Sequence, residues 1–337
     1  MAAAALCAAA PAGAARVKSV PVAFTVKNTN TTNVPCAPDG ATYTVRGHLT
    51  GPVAALRAKR SKRYGATLYL HGLGVAEWLW NFPLARYSHA RAMARAGHVS
   101  VTVDRLGYGS SDRPRSGRSV CIGSQADIAH QIVGQLRAGA YGAPGLAFRR
   151  VGLAGHSAAG QISITEAYTY RDVRALVVVA FSYSNLPRGN DEFGFQRIAC
   201  DAGGDPIAVA PPGGITDYAF FGRTPASLGA IMFRSAAKAV RDRAPGLRGA
   251  DPCGDNYSLI PAIQRQAANV GRVRIPVLVV CGRNDVLYAP FGCEAQAERF
   301  RRGRTVILRR TGHGLPLERS ARTFRKRLSR FLGRYGL

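Results

Sequence analysis

Residues 150–162, RVGLAGHSAAGQI, constrain the fold more than any other stretch of the 337-residue chain. An apolar run of strand formers ends at Gly155, and a helical pattern of small residues begins directly after Ser157. A strand that turns into a helix at a single residue forces that residue into a strained bend. It also lifts the side chain out of the sheet, where a base can reach it. The two backbones nearly touch at such a bend, so small residues are needed two places before and two places after the serine. Gly155 meets the first need, while Ala159 stands at the second with Gly160 one place late. One methyl group is a mild departure. The stretch therefore predicts an exposed, activatable serine hydroxyl at the end of a core strand.

Strands and helices alternate around this stretch. Buried strands are predicted at 66–70, 99–103, 175–180, 276–280 and 305–308. Helices are predicted at about 83–96, 125–137, 158–170, 293–301 and 317–332. Such alternation implies a mostly parallel sheet with helices on both faces, an α/β fold. Residues 16–40 are polar, rich in Asn and Thr, and read as a loose entry segment. Residues 41–50 and 53–59 alternate like two antiparallel strands around Gly51-Pro52. The rhythm breaks at Phe181. From there to about Arg272, clusters of Pro, Gly and Asp separate short helical pieces such as 227–240 and 257–268. Residues 181–272 thus read as a cap inserted into a core formed by 41–180 and 273–337.

An activated serine needs a base within reach and an acid that fixes the base's tautomer. Two strand ends downstream supply them. Asp285 follows the strand ending in Val280-Cys281-Gly282, and His313 lies between Gly312 and Gly314 after the next strand. Residues leaving one edge of a parallel sheet converge, so Ser157, Asp285 and His313 can meet although far apart in sequence. Taken alone, Asp285 could equally be a turn former. His48, His71, His89, His98 and His130 precede the serine and are weaker candidates for the base; His156 is its neighbour and is expected to point elsewhere. A developing oxyanion would need N–H donors, and the backbones of Ala158 and Leu73 are the candidates. Gly72 and Gly74 would let the Leu73 backbone approach a ligand closely. Among the aromatic residues, Trp78, Trp80 and Tyr183 are expected to line a substrate pocket, unless they are ordinary core.

His71-Gly72, Asp104-Arg105-Leu106-Gly107-Tyr108-Gly109-Ser110-Ser111, Gly155-His156-Ser157, Gly282-Arg283-Asn284-Asp285 and Gly312-His313 resemble, in order and spacing, the motifs of the α/β-hydrolase fold superfamily. The chain is similar to its capped serine esterases and lipases, including exported actinobacterial hydrolases. The resemblance runs from about residue 41 to the C-terminus. It implies Ser157 as nucleophile, His313 as base, Asp285 as acid, and Leu73 and Ala158 as oxyanion donors. It implies a carboxylic ester as substrate, small or lipid-like. Amide, lactone or C–C bond hydrolysis and acyl transfer use the same three residues and stay open. Haloalkane dehalogenase and epoxide hydrolase chemistry does not fit, because those enzymes carry aspartate where Ser157 stands.

Charge and cysteines bear on setting and partners. With 46 Lys and Arg against 19 Asp and Glu, the net charge is +27. Such a surface draws in anionic surfaces and substrates, and a polyanion-binding protein of the same fold is a further alternative. No specific nucleic-acid motif is found, and no apolar run is long enough to span a membrane. Residues 1–15 read as a signal peptide lacking its basic start, which implies export. Six cysteines remain without it: 36, 121, 200, 253, 281 and 293. An even number suggests disulfides. Cys200–Cys253 is favoured because both lie in the inserted region, which would leave Cys36–Cys121 and Cys281–Cys293, with a buried free thiol still open for Cys281 at the end of a core strand. None has C-x-x-C spacing, so neither a metal nor a cofactor is expected.

Overall fold

The computed structural model describes residues 15–57, 62–142, 146–207 and 214–337. The leader read at 1–15 falls almost entirely outside them, as do 58–61 of the basic cluster after residue 56.

The core is one eight-stranded sheet. Its strands are β1 Val17–Lys27, β2 Thr42–Pro52, β3 Gly65–Leu70, β4 Val99–Val103, β5 Arg150–His156, β6 Leu176–Val179, β9 Val277–Gly282 and β10 Gly303–Leu308. A separate antiparallel pair, β7 Tyr218–Phe220 and β8 Ala250–Pro252, lies between β6 and β9 in sequence. The order across the large sheet is β1-β2-β4-β3-β5-β6-β9-β10. From β4 to β10 every neighbouring pair is parallel, while β2 pairs antiparallel with both β1 and β4. The parallel strands β3, β4, β5, β6 and β9 are buried throughout apart from the first residue of β5, which is why they read as continuous apolar runs.

The flanking helices are α1 His89–Arg95, α2 Ile122–Ala138, α3 Ala158–Thr169, α8 Pro290–Glu298 and α9 Ala321–Gly333. Between β6 and β9 lie α4 Pro187–Asp201, α5 Pro225–Met232, α6 Lys238–Arg243 and α7 Cys253–Asn269. This architecture is the α/β-hydrolase fold. All three expected cysteine pairings are found: Cys36–Cys121, Cys200–Cys253 and Cys281–Cys293. No helix among the described residues is long and apolar enough to cross a membrane.

Several expectations need correction. The segment 16–40 is not loose, because β1 pairs with β2 over eleven residues, from Val17↔Pro52 to Lys27↔Thr42. Its inward face, Val22, Phe24 and Val26, is buried. Pro21 within it is tolerated because β1 is an edge strand. β1, rather than 53–59, is thus the antiparallel partner of β2, and the chain after Pro52 forms a turn. The helix expected at 83–96 shrinks to α1, preceded by a single 3₁₀ turn. The helix expected at 227–240 is two helices, with a break at Phe233. Helix α4 was not foreseen; its apolar residues follow no clear face, and most of its surface is exposed or half-buried.

Candidate active site

The parallel strands deliver their following residues to one edge of the sheet. At the end of β5, Ser157 adopts φ 56° and ψ −125°, a conformation that an L-residue holds only under constraint. Neighbouring glycines allow it. A Cβ on Gly155 would run into the Ala159 carbonyl oxygen, so a backbone atom, not a side chain, demands glycine there. A Cβ on Gly72 would lie 2.7 Å from the Ser157 Cβ. The Ser157 N–H donates to the Val179 carbonyl at 2.8 Å, which pins the bend to β6.

Asp285 follows β9 and His313 follows β10, and both are buried. The His313 Nδ1–H donates to Asp285 Oδ2 at 2.8 Å. The other carboxylate oxygen, Oδ1, accepts the Leu287 N–H at 2.9 Å, so the acid cannot swing away. With Nδ1 committed, the histidine's Nε2 is left for another partner. The His313 carbonyl accepts from His156 Nε2 at 2.9 Å, and the two rings lie 4.7 Å apart. His156 therefore links the serine bend to the histidine loop, a role that its place beside the serine did not reveal. Burial, reinforced by His313, holds His156 well below the usual imidazole range and so neutral.

Among the described residues no hydrogen bond joins the Ser157 hydroxyl to His313. Burial and the Asp285 charge push the Tyr288 phenol upward. The Tyr288 ring stacks 5.9 Å from the His313 ring.

The loop after β3 carries Leu73. Among the described residues, neither the Leu73 N–H nor the Ala158 N–H at the start of α3 has a protein acceptor. Buried carboxylates hold this loop at both ends. Arg105 donates from Nε to the His71 carbonyl at 2.8 Å and pairs with Asp255 at 2.7 Å, both side chains being almost wholly buried. Its backbone N–H meets His71 Nε2 at 3.1 Å; burial and the Arg105 charge keep that imidazole neutral. On the other side, Gly74 N–H donates to Asp251 Oδ1 at 2.7 Å, while Asp251 Oδ2 accepts from Gln196 at 2.6 Å and the Phe221 N–H at 3.2 Å. Burial pushes the Asp251 carboxyl up to about 7. The histidine loop is held likewise, by Glu318, which accepts from the N–H groups of Gly312 at 3.0 Å and Ser235 at 2.6 Å. Gly314 N–H donates to the Met232 carbonyl at 2.6 Å. The segment between β6 and β9 thus braces both loops.

The expected pocket aromatics are scattered. Trp80 is core, packed 5.0 Å from Tyr69 and 5.1 Å from His89. Trp78 donates to the Leu247 carbonyl at 2.9 Å and lines a cavity of about 410 Å³ with Glu77 and Tyr108. Tyr183 packs 5.5 Å from Phe181 beneath the Arg299 guanidinium. A larger cavity of about 520 Å³ lies between α4 and α7, lined by Phe193, Leu259, Ile260 and Ile263. Its inner wall includes Gln161, one turn along α3 from Ser157, and Tyr288. Tyr288 carried no sequence signal beyond lying three residues after Asp285.

A family model described as the alpha/beta hydrolase family matches residues 68–326. No curated protein sequence matches the chain. Solved structures that resemble it include a thermophilic esterase from Thermogutta terrifontis, at 17% identity and TM-score 0.60, covering 93% of this chain and 99% of that one. A monoacylglycerol lipase from Paleococcus ferrophilus is 15% identical with TM-score 0.59, covering 94% and 99%. A bromoperoxidase from Bacillus anthracis is 16% identical with TM-score 0.61, covering 90% and 100%. At these identities the likeness establishes the fold alone.

Proposed function

The chain belongs to the alpha/beta hydrolase family, and from that premise we propose that it is a serine-dependent hydrolase of carboxylic esters. The observation that carries the reading is the buried Asp285–His313 pair at 2.8 Å, its histidine tied to His156, the residue beside a strained serine. In this reading Ser157 Oγ turns about its Cα–Cβ bond toward His313 Nε2 when substrate enters. Catalytic hydrogen bonds of this kind commonly tighten only in the substrate complex. His313 Nε2 takes the hydroxyl proton as Oγ bonds to the ester carbonyl carbon. The carbonyl oxygen becomes an oxyanion held by the N–H groups of Leu73 and Ala158. His313 returns the proton to the leaving alcohol, and an acyl-enzyme remains. Water, deprotonated by the same imidazole, then releases the acid. Asp285 keeps Nδ1 protonated throughout and stabilises the imidazolium.

Residues 181–272 act as a cap, and the cavity between α4 and α7 is the acyl site behind Tyr288. Its apolar lining and size suit a short or medium acyl chain. Three disulfides support an exported protein, and the net charge of +27 supports association with anionic surfaces. The same charge favours a second reading, in which the protein holds a polyanion without catalysis. A panel of nitrophenyl esters, amides and lactones of graded acyl length, run at two salt concentrations, separates these. Ester turnover that disappears in Ser157→Ala supports the hydrolase. Retention on heparin with no turnover of any substrate supports the polyanion-binding reading.

A further inference from the structure

A second constellation of chemically able side chains lies away from the serine. His130 on α2, Glu166 on α3 and Asp172 just beyond α3 each offer one donor atom, and these atoms all lie within 4.8 Å of one another. Glu166 is wholly buried, yet among the described residues neither of its carboxylate oxygens has a hydrogen-bond partner; Asp172 Oδ1 is also buried and unpartnered. The bond within the group runs between His130 Nδ1 and Asp172 Oδ2, at 2.8 Å. Three buried acceptor oxygens without a donor are costly, because each has lost its water without replacement. Arg137 does not relieve them, since its guanidinium donates to the Asp172 backbone carbonyl rather than to a carboxylate.

The surroundings fix the geometry of the group. The His130 ring stacks on Tyr170 at 3.9 Å and 11°, and the Tyr170 hydroxyl in turn donates to Asp127. The side chain of His130 is 41% exposed and that of Asp172 15%, so an ion can enter from solvent although Glu166 lies at the bottom. Glu166 is nine residues along α3 from Ser157, roughly 14 Å at 1.5 Å per residue, so this group is separate from the active site.

We propose that His130, Glu166 and Asp172 form a binding site for a divalent transition-metal ion, best matched by zinc. One imidazole nitrogen with two carboxylate oxygens suits zinc, whereas calcium and magnesium call for oxygen ligands alone. His130 Nδ1 would exchange Asp172 for the ion, and the undonated oxygens of Glu166 and Asp172 would complete a three-ligand set with water in the remaining position. The ion would join α2, α3 and the start of the chain into β6, so its effect falls on stability. The absence of any paired-cysteine motif, which argued against a metal in the sequence, has no bearing on such a site.

The test is calorimetric titration and thermal unfolding of the full chain, freed of metal by chelator and then given Zn²⁺, Ca²⁺ or Mg²⁺. Zinc should bind with one-to-one stoichiometry and raise the unfolding temperature, while calcium and magnesium should leave it unchanged. His130→Ala, at a partly exposed position that is expected to fold, should weaken zinc binding by roughly tenfold to a hundredfold, and Glu166→Gln likewise. His48→Ala, which removes the His48–Glu77 pair, should change nothing. Zinc binding that persists in His130→Ala, or no zinc-dependent stabilisation of the wild type, would overturn the proposal and leave a proton shared between the two carboxyls as what fills the site.

Discussion

Replacing Asp251 with asparagine should remove a pH-dependent cost from the folded state. Asp251 is wholly buried at the end of the Leu73 loop, and burial raises its carboxyl from an ordinary 3.8 to about 7. A carboxyl raised on folding contributes most to stability when protonated in the native state, and that contribution is lost as pH rises through the folded value. For values of 3.8 unfolded and about 7 folded, the wild type should lose roughly 2 to 3 kcal/mol between pH 5 and pH 8 from this group alone. An asparagine side chain cannot ionise, so the Asp251→Asn variant lacks this slope. Subtracting the variant's urea-unfolding free energy from the wild type's at each pH cancels the other titrating groups, including the buried histidines that act in the opposite direction. The difference should fall by up to about 1.4 kcal/mol per pH unit from pH 5 to pH 7, then flatten above pH 8. A difference curve that is flat from pH 5 to 8 would refute the reasoning. It would mean that the three N–H donors around Asp251 offset its burial fully and that the carboxylate is ionised throughout.

Other predictions concern the site and its frame. Asp285→Asn should turn an amide N–H toward His313 Nδ1 and force the wrong tautomer, lowering kcat roughly a thousandfold or more with the fold intact by circular dichroism. Cys200→Ala with Cys253→Ala opens a bridge spanning 53 residues, and urea unfolding should show a loss of about 4 kcal/mol. Reductant should destabilise the wild type further still, and the double variant as well, because Cys36–Cys121 and Cys281–Cys293 are opened in both.

Much of this fold could be read directly from the chain, for a definite reason. β3, β4, β5, β6 and β9 are buried on both faces, so their apolar runs stand out, and the residues after them must emerge at one edge. That is enough to bring Asp285 to His313. β1 was missed because Val17–Lys27 contains Pro21 and charged residues on its exposed face, which hide the buried alternation of Val22, Phe24 and Val26. The bracing carboxylates were harder still. Asp251, Asp255 and Glu318 act through backbone N–H groups or a buried arginine far away in sequence, and nothing in their neighbours marks them. Arg105 stood inside a recognisable motif, yet its partner Asp255 lies 150 residues on. Trp80 has the composition of a pocket residue but the position of a core one, because the chain after β3 turns it beneath Tyr69 and His89 rather than toward solvent.

All of the proposed chemistry requires that one serine in this chain be nucleophilic. Treating the folded protein with a fluorophosphonate and mapping the modified peptide by mass spectrometry probes that requirement without any choice of substrate. Stoichiometric labelling is expected at Ser157 alone, abolished in Ser157→Ala and strongly slowed in His313→Ala. A folded wild-type protein that stays unlabelled, or is labelled at another serine, would contradict it.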